Sequence, residues 1–141
     1  MSTKQFTLPY EGGLIEKGLP EDILHSFEKI PVNIEEDADF ASIKIARKII
    51  DCIKSRKAAF KLGITTGATP VSVYRELVKS YKAGEISFAD VEIFSIDEYY
   101  PISPDAQQSR NKRLRTEFLS QVDFKEKNIH IPDGSIDKDK I

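Results

Sequence analysis

Residues 58–96 read AAFKLGITTGATPVSVYRELVKSYKAGEISFADVEIFSI. Two short, mostly apolar runs, at 58–64 and 91–96, enclose a stretch in which apolar residues recur every three or four positions. The short runs indicate strands, the first of them buried on both faces, and the longer spacing indicates a helix over 70–83. A strand, a helix and a strand within about 40 residues are typical of a parallel βαβ unit. The stretch therefore predicts an α/β fold with two adjacent parallel strands.

Both ends of the predicted helix carry sequence signals. Thr69 and Pro70 are interpreted as an N-cap followed by proline at the first helical position, where the missing N–H costs nothing. Gly84 stands where helices commonly end.

The chain before this unit divides into two parts. Residues 1–34 are punctuated by proline and glycine, and we interpret them as an N-terminal arm. Residues 36–55 are predicted to form an amphipathic helix, since apolar residues recur at helical spacing. The apolar stripe consists of Phe40, Ile43, Ala46, Ile50 and Ile53.

The chain after this unit adds a third helix, predicted over 107–120, and a short strand, predicted over 128–131. The apolar side of the helix consists of Leu114, Phe118 and Leu119. Its basic residues are interpreted as a solvated face, with anion binding as the alternative. They are Arg110, Lys112, Arg113 and Arg115.

Length and charge limit the classes of function. The 141 residues fit one domain, and 21 Lys+Arg against 23 Asp+Glu leave a formal net charge of -2. This near-neutral balance argues against binding to nucleic acid through phosphate neutralisation. A single cysteine, Cys52, cannot form an intramolecular disulfide, and no apolar stretch near the start indicates a signal peptide or a membrane span. We therefore expect a cytoplasmic protein without a membrane or nucleic-acid partner.

Two loops follow the predicted strands, at the sheet edge where ligands bind in open parallel sheets. The first loop, residues 65–70, leads into a helix N-terminus, where backbone N–H groups favour an anion; a plain βα connection explains it about as well. The second begins with Asp97 and Glu98. Because these residues are adjacent, their side chains point in different directions. Asp97 is either a general base or a turn cap, and Glu98 is either a secondary catalytic candidate or a solvated residue. Neither His25 nor His130 has companions at metal-ligand spacing, so both are interpreted as structural or surface residues.

Four segments carry a resemblance to a known family. They read LGITTGATP at 62–70, KAGEISF at 82–88, FSIDEYY at 94–100 and IHIPDG at 129–134. In order and spacing they resemble the glucosamine-6-phosphate deaminase (isomerase) family, over about residues 36–136. The segments at 99–101 and 130–134, together with the arm, look most like the longer bacterial members that carry a further C-terminal domain.

The resemblance implies a Rossmann-like α/β fold, of which residues 35–141 form the N-terminal part. It also implies conversion of glucosamine 6-phosphate and water to fructose 6-phosphate and ammonia, a hydrolase activity of amino sugar catabolism. It places the enolisation base on Asp97. It implies no metal or organic cofactor and a small-molecule sugar phosphate as partner, and it leaves homo-oligomer formation open. The residues on which it places the sugar-phosphate loop are Thr65, Thr66, Gly67, Ala68 and Thr69.

Three departures from the family pattern qualify these expectations. Ala68 stands where the family usually has glycine, and Arg110 stands where it usually has an aromatic residue. The family's ring-opening segment, Asp-Gly-His followed by Glu, is expected beyond Ile141, so we expect residues 1–141 alone to be inactive. Two alternatives remain: a 6-phosphogluconolactonase-like hydrolase, and a domain that senses a sugar phosphate without catalysis.

Overall fold

The computed structural model describes residues 34–56, 59–137 and 139. From Asp37 onward these residues belong to one compact unit. The predicted arm lies outside the described residues except for residue 34, and His25 lies outside them too. The arm and its boundary therefore stay predictions.

Helix α1 spans Ala38–Ser55 and confirms the first predicted helix. It begins at Asp37, whose side chain accepts a hydrogen bond from the Phe40 backbone N–H at 2.7 Å, as an N-cap aspartate does. Only part of the predicted apolar stripe is buried. Helix α1 packs against the next helix, and Ala46 and Ile50 belong to the buried core, whereas Phe40 is 52% exposed.

The predicted βαβ unit is confirmed. Strand β1 spans Phe60–Ile64, helix α2 spans Ala68–Lys82 and strand β2 spans Val91–Ser95. The two strands are parallel neighbours, in a register that runs from Phe60 opposite Val91 to Ile64 opposite Ser95. Gly84 has a φ of +71°, which glycine adopts without strain, and it follows the end of α2 as predicted.

The start of α2 differs from the prediction. The N-cap is Gly67, so Thr69 is not the cap and lies inside the first turn. Pro70 is the third helical residue rather than the first. Proline at this position still costs no hydrogen bond, because the first four N–H groups of a helix have no intrahelical partner.

Burial of β1 on both faces was predicted and is wrong for the described residues. Lys61 and Gly63 are exposed, while Ile64 is buried. The core lies against one face of the sheet, where the helices pack. On the other face, the exposed Phe94 ring stacks on the ring of His130, with 4.5 Å between their centroids.

The last helix is shorter than predicted. Helix α3 spans Arg110–Glu117 rather than 107–120, and a 3₁₀ turn continues it at Leu119–Gln121. After a second 3₁₀ turn at Glu126–Asn128, strand β3, Ile129–His130, pairs in parallel with β2. The sheet order is β1-β2-β3, which confirms the parallel α/β class. The largest fully buried apolar side chains are Phe88, Phe118, Ile50, Leu77, Ile93 and Leu114.

Candidate functional site

The candidate site lies at the carboxyl ends of β1 and β2. The Ile96 backbone N–H donates a hydrogen bond to the Ile64 carbonyl oxygen at 3.0 Å, which continues the strand ladder past Ser95. The loops that follow the two strands therefore begin side by side. As expected from the sequence, this brings Asp97 to the same edge as the loop at 65–69.

The loop after β1 presents backbone N–H groups at the start of α2. Gly67 has a φ of +134°, a conformation that residues with a side chain rarely adopt, and no side-chain hydrogen bond caps the helix at this residue. The Tyr74 hydroxyl donates a hydrogen bond to the Thr65 carbonyl oxygen at 2.5 Å and so ties the loop to α2. Thr66 is buried, whereas Ala68 and Thr69 are exposed. The start of α2 is thus exposed, and a helix N-terminus offers unpaired N–H groups and a favourable dipole to an anion.

Asp97 keeps one carboxylate oxygen without a hydrogen-bond partner. Its Oδ2 lies 3.0 Å from Nε of Arg110, while the buried Oδ1 has no partner among the described residues. The side chain as a whole is 46% exposed. The carboxylate is therefore partly open to a ligand, and its unpaired oxygen is the buried one.

Glu98 has a structural role that the sequence did not reveal. Its Oε1 accepts hydrogen bonds from the backbone N–H groups of Tyr99 and Arg110, at 2.8 and 2.9 Å. Its Oε2 accepts from the Ser109 hydroxyl and the Asn111 N–H, both at 2.9 Å. The interpretation of Glu98 as a solvated residue is therefore wrong, because the carboxylate caps the start of α3.

The same contacts keep Glu98 ionised. Burial alone would raise the pKa of Glu98, but the N–H groups of Asn111, Arg110 and Tyr99 and the Ser109 hydroxyl together hold the pKa below its ordinary value. Asp97 and Glu98 also have separate partners, as expected for adjacent positions.

Glu98→Gln is expected to lower the free energy of unfolding by roughly 1–3 kcal/mol, because the amide nitrogen cannot accept the bonds that one carboxylate oxygen accepts. A lowered pKa stabilises the fold above the ordinary glutamate pKa, and this contribution is lost as the pH falls through the lower pKa of the folded state. Thermal unfolding of the parent protein and of Glu98→Gln should therefore show a difference in Tm at pH 7 that becomes smaller in acid. An equal gap at both pH values would contradict the capping role of Glu98.

Arg110 joins the two loops, a contact that the sequence alone did not reveal. Its Nη1 donates to Thr66 Oγ1, and its Nη2 lies 3.3 Å from the Tyr99 hydroxyl. The guanidinium carbon lies 4.6 Å from the centroid of the Tyr99 ring. The solvated-face interpretation holds for the exposed Lys112 and Arg113, but it is wrong for Arg110, whose side chain is 22% exposed. The arginine at a position where the family usually has an aromatic residue could have indicated this role. The neighbouring basic residues favoured the interpretation as a solvated face instead.

Other predicted candidates lie apart from these contacts. His130 is exposed and stacks on Phe94. In the part of the chain that the structure describes, no three His, Cys, Asp or Glu residues are grouped as a metal site requires. Across residues 34–56 and 59–137, each helix is too short or too polar to traverse a lipid bilayer.

Comparison with protein families gives a match over most of the chain. Residues 34–140 match the model described as glucosamine-6-phosphate isomerases/6-phosphogluconolactonase. A glucosamine-6-phosphate deaminase of Haemophilus ducreyi is 37% identical over 105 residues, which are 74% of this chain and 39% of that protein. A glucosamine-6-phosphate deaminase-like protein of Bacteroides thetaiotaomicron is 35% identical over 129 residues, which are 89% of this chain and 20% of that protein. The chain spans less than half the length of each of these relatives.

Solved structures share the fold. A monomeric glucosamine-6-phosphate deaminase matches with a TM-score of 0.70 and 29% identity, over 74% of this chain and 43% of its own. A 6-phosphogluconolactonase from Thermotoga maritima matches with a TM-score of 0.61 and 22% identity, over 77% of this chain and 47% of its own. At that identity the second likeness concerns the fold alone.

Proposed function

Since the chain belongs to the family of glucosamine-6-phosphate isomerases and 6-phosphogluconolactonases, we propose that it forms the phosphate-binding and proton-transfer part of a glucosamine-6-phosphate deaminase. The observation that carries the proposal is Asp97, whose Oδ1 is unpaired at the carboxyl end of β2, beside the open start of α2. The overall reaction converts glucosamine 6-phosphate and water to fructose 6-phosphate and ammonia.

Asp97 acts as the enolisation base in this proposal. In the opened sugar, the C2 proton is acidic because C2 lies next to the C1 aldehyde and carries the amino group. Asp97 takes that proton and returns it to C1 through an enolamine, and water then releases ammonia at C2 and leaves the ketone. The geometry supports a transfer by Asp97 alone, since Glu98 is held by the start of α3 while the Asp97 side chain is 46% exposed. The chemistry requires no metal or organic cofactor.

The phosphoryl group binds at the start of α2. The backbone N–H groups of Gly67, Ala68 and Thr69 and the helix dipole provide the donors, and the hydroxyl groups of Thr65, Thr66 and Thr69 add polar contacts. Ala68 is exposed, so its methyl group narrows the approach without filling the core.

Phosphate titration is expected to shift the amide NMR signals of Gly67, Ala68 and Thr69 first, because their N–H groups meet the anion directly. The exposed cations Lys112 and Arg113 serve as the internal control, since they would attract phosphate without forming a site. Signals that move first in α3 would place the anion at the basic residues and contradict the loop assignment.

The relatives named as deaminases favour this activity over the lactonase alternative, which belongs to the same family. The test is an assay of the full-length protein with glucosamine 6-phosphate, which should yield fructose 6-phosphate and ammonia in equal amounts. Hydrolysis of 6-phosphogluconolactone without ammonia release would support the lactonase, and saturable binding without turnover would support a sensor. Residues 1–141 alone should release no ammonia at an enzymatic rate, because the family's ring-opening segment, Asp-Gly-His followed by Glu, is not among them.

A further inference from the structure

We propose that Arg110 determines specificity for a phosphorylated ligand in this site, by leaving Asp97 and pairing with the phosphoryl group when a sugar phosphate binds. This inference rests on the proposed function and names the residue that couples phosphate binding to proton transfer. Arg110 is the first residue of α3, and it contacts both the β1–α2 loop and the carboxylate after β2.

The pairing of Arg110 with Asp97 is incomplete. A guanidinium binds a carboxylate best through two parallel hydrogen bonds. Here Nε lies 3.0 Å from Oδ2 yet has no hydrogen-bond partner, and Asp97 Oδ1 has none either. Both atoms are buried, so the pairing leaves one polar atom of each residue unsatisfied. A phosphoryl group, with three oxygens and more charge, competes well for such a guanidinium.

The position of Arg110 suits this exchange. Its Nη1 already donates to Thr66, which lies in the loop that is proposed to hold the phosphoryl group. Tyr99 supports the guanidinium plane at 4.6 Å and receives a contact from Nη2 at 3.3 Å. The backbone N–H of Arg110 is held by Glu98, so the residue is anchored while its side-chain end can change partners.

The exchange has a functional consequence. While Arg110 is paired with Asp97, the guanidinium occupies the carboxylate that is proposed to take the C2 proton. A phosphoryl group that attracts Arg110 frees that carboxylate, so ligands without phosphate leave the base paired. The site thereby favours a sugar phosphate over the same sugar without phosphate.

A double-mutant cycle tests the proposal by calorimetric titration of the full-length protein with inorganic phosphate and with fructose 6-phosphate. Arg110→Gln is expected to weaken both affinities roughly tenfold, the effect of one charge-assisted contact. Asp97→Asn is expected to tighten them roughly tenfold, because Arg110 then has no competing carboxylate. In the double variant the tightening should disappear. The affinity for fructose without phosphate should be the same in the parent protein and in Arg110→Gln.

Controls separate this role from a structural one. Arg113→Gln removes an arginine of the same helix that pairs with Glu117 at 2.7 Å, and it should leave phosphate affinity unchanged. Arg110→Lys keeps the charge without the planar fork and should lose less affinity than Arg110→Gln, which guards against a folding defect in the glutamine variant.

The proposal is overturned if Asp97→Asn tightens binding equally with and without Arg110, since the effect would then be loss of repulsion alone. It is also overturned if Arg110→Gln leaves phosphate affinity unchanged, or if neither the parent protein nor Asp97→Asn binds phosphate. The cycle needs no turnover. A protein that shows the coupling but forms no fructose 6-phosphate would retain the Arg110 inference and lose the proposed deaminase activity.

Discussion

Asp97→Asn is expected to lower kcat of the full-length protein by about 10²–10⁴-fold, the range for loss of a general base. The asparagine amide has nearly the same shape but cannot take the C2 proton. Affinity for the sugar phosphate should not fall, because the donors at the start of α2 remain. Steady-state kinetics with glucosamine 6-phosphate separate the two effects, with kcat reduced and no rise in KM.

The matched control is Asp90→Asn at the opposite end of the same strand. Asp90 precedes β2, is exposed and pairs with Lys125 at 2.9 Å. Its substitution should leave turnover unchanged. If Glu98→Gln reduced kcat as much as Asp97→Asn while the protein stayed folded, the base would have been assigned to the wrong carboxylate.

Phe118→Ala is expected to lower the free energy of unfolding by about 3–5 kcal/mol, the usual cost of removing a buried aromatic ring. Phe118 is 0% exposed. Its ring stacks on Tyr74 with 4.9 Å between centroids and meets Phe88 and Phe124 edge-on at 5.6 and 5.3 Å. The cavity would also loosen Tyr74, whose hydroxyl holds the Thr65 carbonyl. Chemical denaturation followed by circular dichroism measures the loss.

Phe40→Ala is the matched control, because Phe40 is 52% exposed on α1 and its truncation removes little buried surface. Its effect should stay below about 1 kcal/mol. Equal losses in the two variants would show that burial in this core is not what makes Phe118 important.

The βαβ unit could be predicted because its signals are local. The apolar runs, the stripe between them and Gly84 each act within a few neighbouring positions, so β1, α2 and β2 were predicted within a few residues. Parallel pairing then places Asp97 beside the loop at 65–69, since the carboxyl ends of neighbouring parallel strands lie together.

Local signals were less informative where contacts compete. Thr69 and Pro70 are good residues for a helix start, yet α2 begins at Ala68, after the N-cap Gly67, whose positive φ lets the chain turn earlier. Hydrophobicity alone could not tell which strand face the helices cover, so the exposure of Lys61 and Gly63 was missed.

The fold class and the edge of the sheet at which chemistry is proposed follow from local sequence patterns. The partners of the charged residues, in contrast, depend on how the chain packs. Glu98 reaches the start of α3, 11 to 13 residues further along the chain, and Arg110 reaches Thr66 across 44 residues. Sequence periodicity does not predict such contacts, because a charged helical residue gives the same pattern whether its side chain contacts water or a carboxylate. Only the packing of the chain determines which of the two it contacts.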